Sequence, residues 1–145
     1  MTPDINVLIA ASRSDHPHHK IAYAWLVDAV AACADGANLR LMPMVVAGFL
    51  RLVTNRKIFV QPTPILDAVA FLDALFMVPG VATPSLDAEW PILRQLCIDR
   101  KLAANDIPNA WLAAAVTELG EHMVTFDADF RKLLKRTQVT VLAAK

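Results

Sequence analysis

Asp4-Ile5-Asn6-Val7-Leu8 near the N-terminus and Thr125-Phe126-Asp127-Ala128-Asp129-Phe130 near the C-terminus decide the reading of this chain. Each sets a short apolar or β-branched run against an Asp, a pattern that places carboxylates at the ends of strands. Carboxylates that converge beside a sheet repel one another, and keeping them ionised together calls for a cation. Two acidic strand ends, drawn from opposite ends of the sequence, therefore point to a Mg²⁺ or Mn²⁺ site. The usual chemistry of such a site is phosphoryl transfer.

Between these two stretches the sequence alternates helical and extended segments. Asn6–Ala11 carries the opening strand into a short helix, and Asp4 is placed to cap it. Ser14-Asp15-His16-Pro17-His18-His19 reads as a loop, with Ser14 or Asp15 capping a helix over His19–Cys33. A strand is expected over Leu39–Met42, stopped by Pro43, then a helix over Met44–Thr54 with Gly48 in its middle. An extended loop over Asn55–Pro64 leads to a helix over Ile65–Phe76 and a strand over Val81–Thr83. Ser85 or Thr83 is expected to cap a helix over Asp87–Arg100, where Pro91 implies a late start or a kink. The last long helix, Pro108–Leu119, ends at Gly120 in the C′ position. Strands over His122–Thr125 and Val139–Leu142 flank a short helix over Asp129–Leu134. Strands separated by helices imply an α/β/α sandwich with a mostly parallel sheet, and ligands of such sheets sit beyond the carboxyl ends of the strands.

Composition bounds the rest. A chain of 145 residues fits one domain spanning 1–145, and 56% apolar with 19% charged residues excludes disorder. Mean hydropathy is positive, yet every apolar run breaks before the about 20 residues a membrane helix needs. The opening Met1-Thr2-Pro3-Asp4 has no basic region and no cleavable apolar stretch, so export is not expected. Cys33 and Cys97 are read as reduced core residues, and the four His residues show no zinc spacing. Fourteen basic residues balance fourteen acidic ones, so affinity for nucleic acid has to come from a local patch such as Arg51, Arg56 and Lys57. That patch reads equally as a solvated face. The apolar surplus favours a tight protein partner or a homodimer.

Four segments in register carry a family resemblance: Asp4-Ile5-Asn6-Val7-Leu8-Ile9, Phe49-Leu50-Arg51-Leu52-Val53-Thr54-Asn55, Asn109-Ala110-Trp111-Leu112-Ala113-Ala114 and Thr125-Phe126-Asp127-Ala128-Asp129-Phe130. Their order is that of PIN-domain ribonucleases, and the chain most resembles the VapC toxins of bacterial toxin–antitoxin pairs. The likeness spans nearly the whole sequence, including the His-rich loop ahead of Trp25-Leu26. It implies a PIN-like fold with four or five short strands. It implies, too, the toxin of a type II module: a cytoplasmic, Mg²⁺- or Mn²⁺-dependent endoribonuclease that cuts structured RNA and blocks translation. A VapB-type antitoxin is the implied partner.

Carried onto this chain, the resemblance implies a catalytic set of Asp4, Asn109, Asp127 and Asp129, with Asp4, Asn109 and Asp127 as metal ligands. Asn6 is then expected to orient Asp4, and Thr125 to hydrogen-bond a ligand carboxylate. Two positions depart from the pattern. Gly48 stands where many PIN domains carry Glu, and Asn109 stands where a Pro and then Asp-Ala supply the third acidic residue. Asp106, three residues earlier, is read as a helix cap or a substitute acid. The alternative is a catalytically crippled PIN-fold module that binds RNA or antitoxin without cutting; a small phosphatase built on strand-end Asp residues is a third class.

Overall fold

A computed structural model of the chain describes residues 1–143; Ala144 and Lys145, the end of the expected 1–145 domain, lie outside the described residues. Strand β1 (Thr2–Pro3) runs directly into helix α1 (Ile5–Ser12), and α2 (His19–Cys33) follows. Next come β2 (Leu39–Arg40), α3 (Pro43–Val53), α4 (Ile65–Phe76), β3 (Val81–Ala82), α5 (Trp90–Arg100) and α6 (Asp106–Glu118). Strand β4 (Met123–Thr125), 3₁₀ turns over Ala128–Lys132 and Arg136–Gln138, and β5 (Val139–Val141) close the fold.

Every strand pairing is parallel, as strand–helix alternation requires. Strand β4 lies between β1 and β5, with Thr2 opposite Met123 and Thr125 opposite Val141. Strands β2 and β3 form a second ladder. The Arg40 amide donates to the Met1 carbonyl at 2.9 Å and brings the ladder β2-β3 beside the sheet of order β1-β4-β5. The architecture is the three-layer α/β/α sandwich with a short parallel sheet. Among the described residues, no helix is long and apolar enough to cross a membrane.

Local boundaries differ from the sequence reading for physical reasons. The helix expected over Asn6–Ala11 is present as Ile5–Ser12 with Asp4 as its N-cap, and the opening strand lies wholly before Asp4. Val7 to Ala11 are all buried. Pro43 opens α3 instead of only stopping the strand before it, since proline at the first helical position gives up no bond. Neither Ser14 nor Asp15 caps α2, which begins after His18, and neither Thr83 nor Ser85 caps α5, which begins after Glu89. Helix α6 starts two residues before Pro108, so Asp106 is its first residue and caps nothing through its side chain. The turn at Ala128–Lys132 is capped by Asp127, whose Oδ1 accepts from the Asp129 amide at 2.9 Å. Gly120 does sit just past α6 at φ +63°, the left-handed region that favours glycine. Gly48 packs against the Ile5 side chain of α1, which would have to shift to admit a Cβ there.

Helix α1 ends on Arg13, which is 9% exposed and tethers two loops at once. Its guanidinium donates to both carboxylate oxygens of Asp15 (2.8 and 3.2 Å), to Thr63 Oγ1 (3.0 Å) and to the Gln61 carbonyl (2.9 Å). The same group stacks 4.0 Å from the Phe59 ring centroid. These bonds hold Asp15 below the usual carboxylate range, through the Arg13 hydrogen bonds first. Asp15 is solvent-exposed, so the ion pair itself stabilises little. The part-buried bonds to Thr63 and Gln61 matter more, because a lysine's point charge cannot replace a planar fork. Arg13→Lys is expected to lower unfolding free energy by about 1–3 kcal/mol in urea titration; Asp15→Ala is expected to leave the urea midpoint nearly unchanged.

Candidate active site

Asp4 leaves β1 at its carboxyl end, and Thr125 ends the adjacent strand β4, so the parallel register brings them side by side. The Thr125 hydroxyl donates to Asp4 Oδ2 at 2.7 Å. It accepts in turn from the Asp127 amide (2.9 Å) and from Asn6 Nδ2 (3.3 Å), which fills the donor and both acceptor positions of a hydroxyl. Asp4 Oδ1 accepts from the Ile5 amide at 2.7 Å, so the carboxylate caps α1 while facing β4. Asn6, on the first turn of α1, makes no hydrogen bond to Asp4 among the described residues. It reaches Asp4 through Thr125, and its Oδ1 accepts from the Phe126 amide at 3.2 Å.

Asp4 is buried and charged, an expensive combination. Burial pushes its carboxyl above the ordinary value of 3.8, and the negative charge of Asp127 adds to that rise. The hydrogen bonds from Thr125 and Ile5 pull the other way without reversing it. Two carboxylates thus share one corner of the sheet, with no cationic side chain of the described residues paired to Asp4.

Asn109 stands between two cavities. One, of about 580 Å³, is lined by Asp4, Ile5, Gly48, Arg51, Asn109 and Trp111, among mostly apolar neighbours from α3, α5 and α6. Asp4, Gly48 and Asn109, three positions singled out in the sequence, thus line one cavity. The other, of about 300 Å³, brings Asn109 together with Asp106, Asp129, Arg100 and Lys132. Asp129 is exposed and pairs with Lys132 at 3.3 Å. Among the described residues, no group of three or more His, Cys, Asp or Glu side chains is placed to share one metal ion. Of the basic trio, Arg51 faces Asp4's cavity, whereas Arg56 and Lys57 are exposed in the loop after α3 and line neither cavity.

Sequence reasoning did not find Arg100 and Lys132, the cations that do flank Asn109, because nothing local marks them and only the fold joins α5 to the turn after β4. Nor did it find that the His-rich loop packs inward. His18 stacks on Phe126, the residue between Thr125 and Asp127, with ring centroids 4.8 Å apart. Cys33 is buried as expected, while Cys97 is half-buried.

Comparison with known proteins accords with this arrangement. The PIN domain family matches residues 1–135. The chain is 38% identical over 130 residues to Ribonuclease VapC25 of Mycobacterium tuberculosis, covering 89% of each. It is 37% identical over 131 residues to VapC ribonuclease Mb2897 of Mycobacterium bovis, covering 89% of this chain and 86% of that one. Among solved structures, VapBC2 from Rickettsia felis, bound to a DNA fragment from its promoter, aligns with TM-score 0.65 at 14% identity, covering 97% and 96% of the two chains. Mycobacterium tuberculosis VapC20, a toxin that cleaves the sarcin-ricin loop, aligns with TM-score 0.63 at 16% identity, covering 90% and 92%. At such identities the structures speak to the fold; the sequence matches speak to the family. The parallel sheet, the acidic corner where β1 meets β4 and these matches lead to one conclusion: the chain belongs to the PIN-domain family, among the VapC ribonucleases.

Proposed function

We propose that this protein is the toxin of a type II toxin–antitoxin module, a cytoplasmic, divalent-metal-dependent endoribonuclease that cuts structured RNA and blocks translation. The observation that carries the reading is the Thr125 hydroxyl, which ties the buried Asp4 carboxylate to the backbone of Asp127. That tie makes a fixed pair of acids at the carboxyl edge of a parallel sheet. The close VapC relatives are ribonucleases by name, and divalent-metal dependence is typical of the PIN family.

The donor set fits Mg²⁺ or Mn²⁺: Asp4 and Asp127 offer carboxylate oxygens and Asn109 an amide oxygen, with no soft ligand among them. Burial, the main cause of Asp4's raised pKa, and the charge of Asp127 both disfavour its ionised form, which a bound cation would favour. When bound, the cation supplies positive charge for the phosphodiester and a more acidic water to attack it. The chain's own groups position. Thr125 fixes the Asp4 carboxylate, Asn6 holds Thr125 and the Phe126 backbone, and Asp127 anchors the turn that carries Asp129. Arg51, on the wall of the same cavity, is the member of the basic trio best placed to meet a phosphate; Arg56 and Lys57 serve RNA further from the acids.

The apolar walls of the larger cavity suit a segment of a VapB-type antitoxin, with a basic side chain reaching Asp4. A homodimer is supported by α4 and the residue after it, where Ile65, Leu66, Val69, Phe76 and Met77 present an exposed apolar face. The second reading, a PIN-fold module that binds RNA or antitoxin without cutting, is favoured by Asn109 and Gly48. Both lie beside Asp4 and neither carries charge.

Two experiments test the reading. Asn109→Asp adds a third carboxylate and is expected to increase Mn²⁺-dependent cleavage of total RNA by more than the roughly 10–100-fold that an outer-shell partner is worth. Equal activity in the two forms, with Asp106→Ala abolishing both, assigns the third acidic role to Asp106 instead. Complete inactivity of both forms, with RNA binding retained, establishes the non-cutting module.

The second experiment uses pH. Because Asp4's pKa is raised on folding, the folded state holds its proton more tightly than the unfolded chain does. Its contribution to stability is therefore present below the ordinary value of 3.8 and is lost as pH rises through the folded pKa. Asp4→Asn keeps an oxygen for the α1 cap and is expected to raise the metal-free melting temperature at neutral pH. Mn²⁺ is expected to raise it for the native chain but not for the variant. Asp4→Ala also loses the cap, about 1 kcal/mol, and should melt below Asp4→Asn.

A further inference from the structure

The proposed chemistry uses neither His16 and His18 in the loop before α2 nor His19 at the start of α2, and His18 packs on Phe126, the residue before Asp127. His18 lies over the Phe126 ring with an interplanar angle of 19°. Its backbone amide donates to His16 Nδ1 at 3.1 Å, and the His16 ring lies 5.8 Å from that of His18. That bond needs an unprotonated Nδ1 on His16, and burial together with the neighbouring His18 lowers the His16 pKa accordingly. His19 closes the other side: its Nδ1 meets the Ala10 carbonyl of α1 at 2.9 Å, and its ring packs 5.4 Å from Tyr23. The loop is thus moored to α1, the helix that Asp4 caps, and one ring reaches across to the strand end opposite.

Phe126 is gripped on two sides. Asn6 of α1 accepts from its backbone amide, and His18 covers its half-buried ring. Its chain neighbours are Thr125, which binds Asp4, and Asp127, whose amide donates to Thr125 and whose carboxylate accepts from Asp129. A change in the backbone at Phe126 carries over to Asp127, its neighbour in the chain. Asp127 sits in a two-residue bridge between β4 and a 3₁₀ turn, where short-range bonds alone are weak restraints.

We propose that His18 is a positioning residue for Asp127, acting through the stacked ring of Phe126. Neither ring touches RNA or metal in this role. The inference rests on the reading of Asp127 as part of the nuclease site. It requires a flat ring at position 18, not a titrating or hydrogen-bonding one, and this separates it from a role in proton transfer or RNA contact.

Amide hydrogen exchange of the metal-free protein reads the effect without reference to cleavage. The Asp127 amide reports the bond to Thr125, and the Asp129 amide reports the orientation of the Asp127 carboxylate. His18→Ala is expected to speed exchange at Phe126, Asp127 and Asp129 by about two- to tenfold, which is what loss of one aromatic stack converts to. His18→Phe is expected to restore native protection, and His18→Gln, which keeps polarity without a ring, is not. In the Asn109→Asp background, kcat for RNA should fall by a similar factor in His18→Ala and recover in His18→Phe, with KM unchanged.

Native exchange rates in His18→Ala overturn the proposal. If that variant unfolds, equal protection in His18→Phe and His18→Gln overturns it instead. Failure of every form to cut RNA defeats the ribonuclease reading, while the exchange comparison still decides what His18 does to Asp127.

Discussion

The Thr125 hydroxyl bond to Asp4 is the contact on which the candidate site depends. It joins the carboxyl ends of β1 and β4, segments separated by 121 positions in the chain. A buried carboxylate without partners would take up a proton or distort the corner. Here one oxygen caps α1 and the other is held by Thr125, so Asp4 is at once a piece of the scaffold and the most perturbed acid of the site. The same hydroxyl accepts the Asp127 amide, which makes the second acid's position a consequence of the first's. Removing Asp4 therefore disturbs more than a charge, and the Asn variant separates the two effects better than Ala.

Around this corner the loops are tied down by side chains that report to α1. Arg13 at its C-terminal end holds the segment from Phe59 to Thr63, and His19 holds the loop before α2 to the Ala10 carbonyl. Asn6 at its first turn holds Thr125 and Phe126. A helix buried on nearly every side can act as such a post because its neighbours leave it no room to move. Asp4, as the N-cap of α1, inherits that rigidity, and rigid placement of charge is what a site for phosphoryl transfer needs.

On the proposed reading, Asn109 leaves the site its shape with one carboxylate fewer. It lines the cavity shared with Asp4 and also faces the cavity holding Asp106, Asp129, Arg100 and Lys132. The amide fills the volume of a carboxylate and offers an oxygen, but contributes no attraction for a divalent ion. Gly48, lining the first of these cavities, packs against the Ile5 side chain. Adding an acid at position 48 therefore needs a shift of Ile5, whereas adding one at 109 exchanges an amide for a carboxylate of nearly the same shape.

Part of this was legible from the residues alone. The parallel α/β order followed from strands alternating with helices, and Gly120 marked the end of α6 because a left-handed residue there favours glycine. Asp4 and Asp127 were legible as strand-end acids because short-range pattern places them where a strand stops. The helix after Asp4 and its cap were legible as well, whereas the start of α6 was not, because Asp106 and Ile107 precede the proline that was read as its first residue. Three things were decided only in the tertiary structure: that the Thr125 hydroxyl bonding Asp4 also accepts from the Asp127 backbone amide, that Arg100 and Lys132 share a cavity with Asn109, and that His18 lies on Phe126. The reason is physical. Backbone preference and capping act over a few residues and are written locally, whereas contacts between side chains about a hundred positions apart exist only once the parallel sheet has brought its strand ends together.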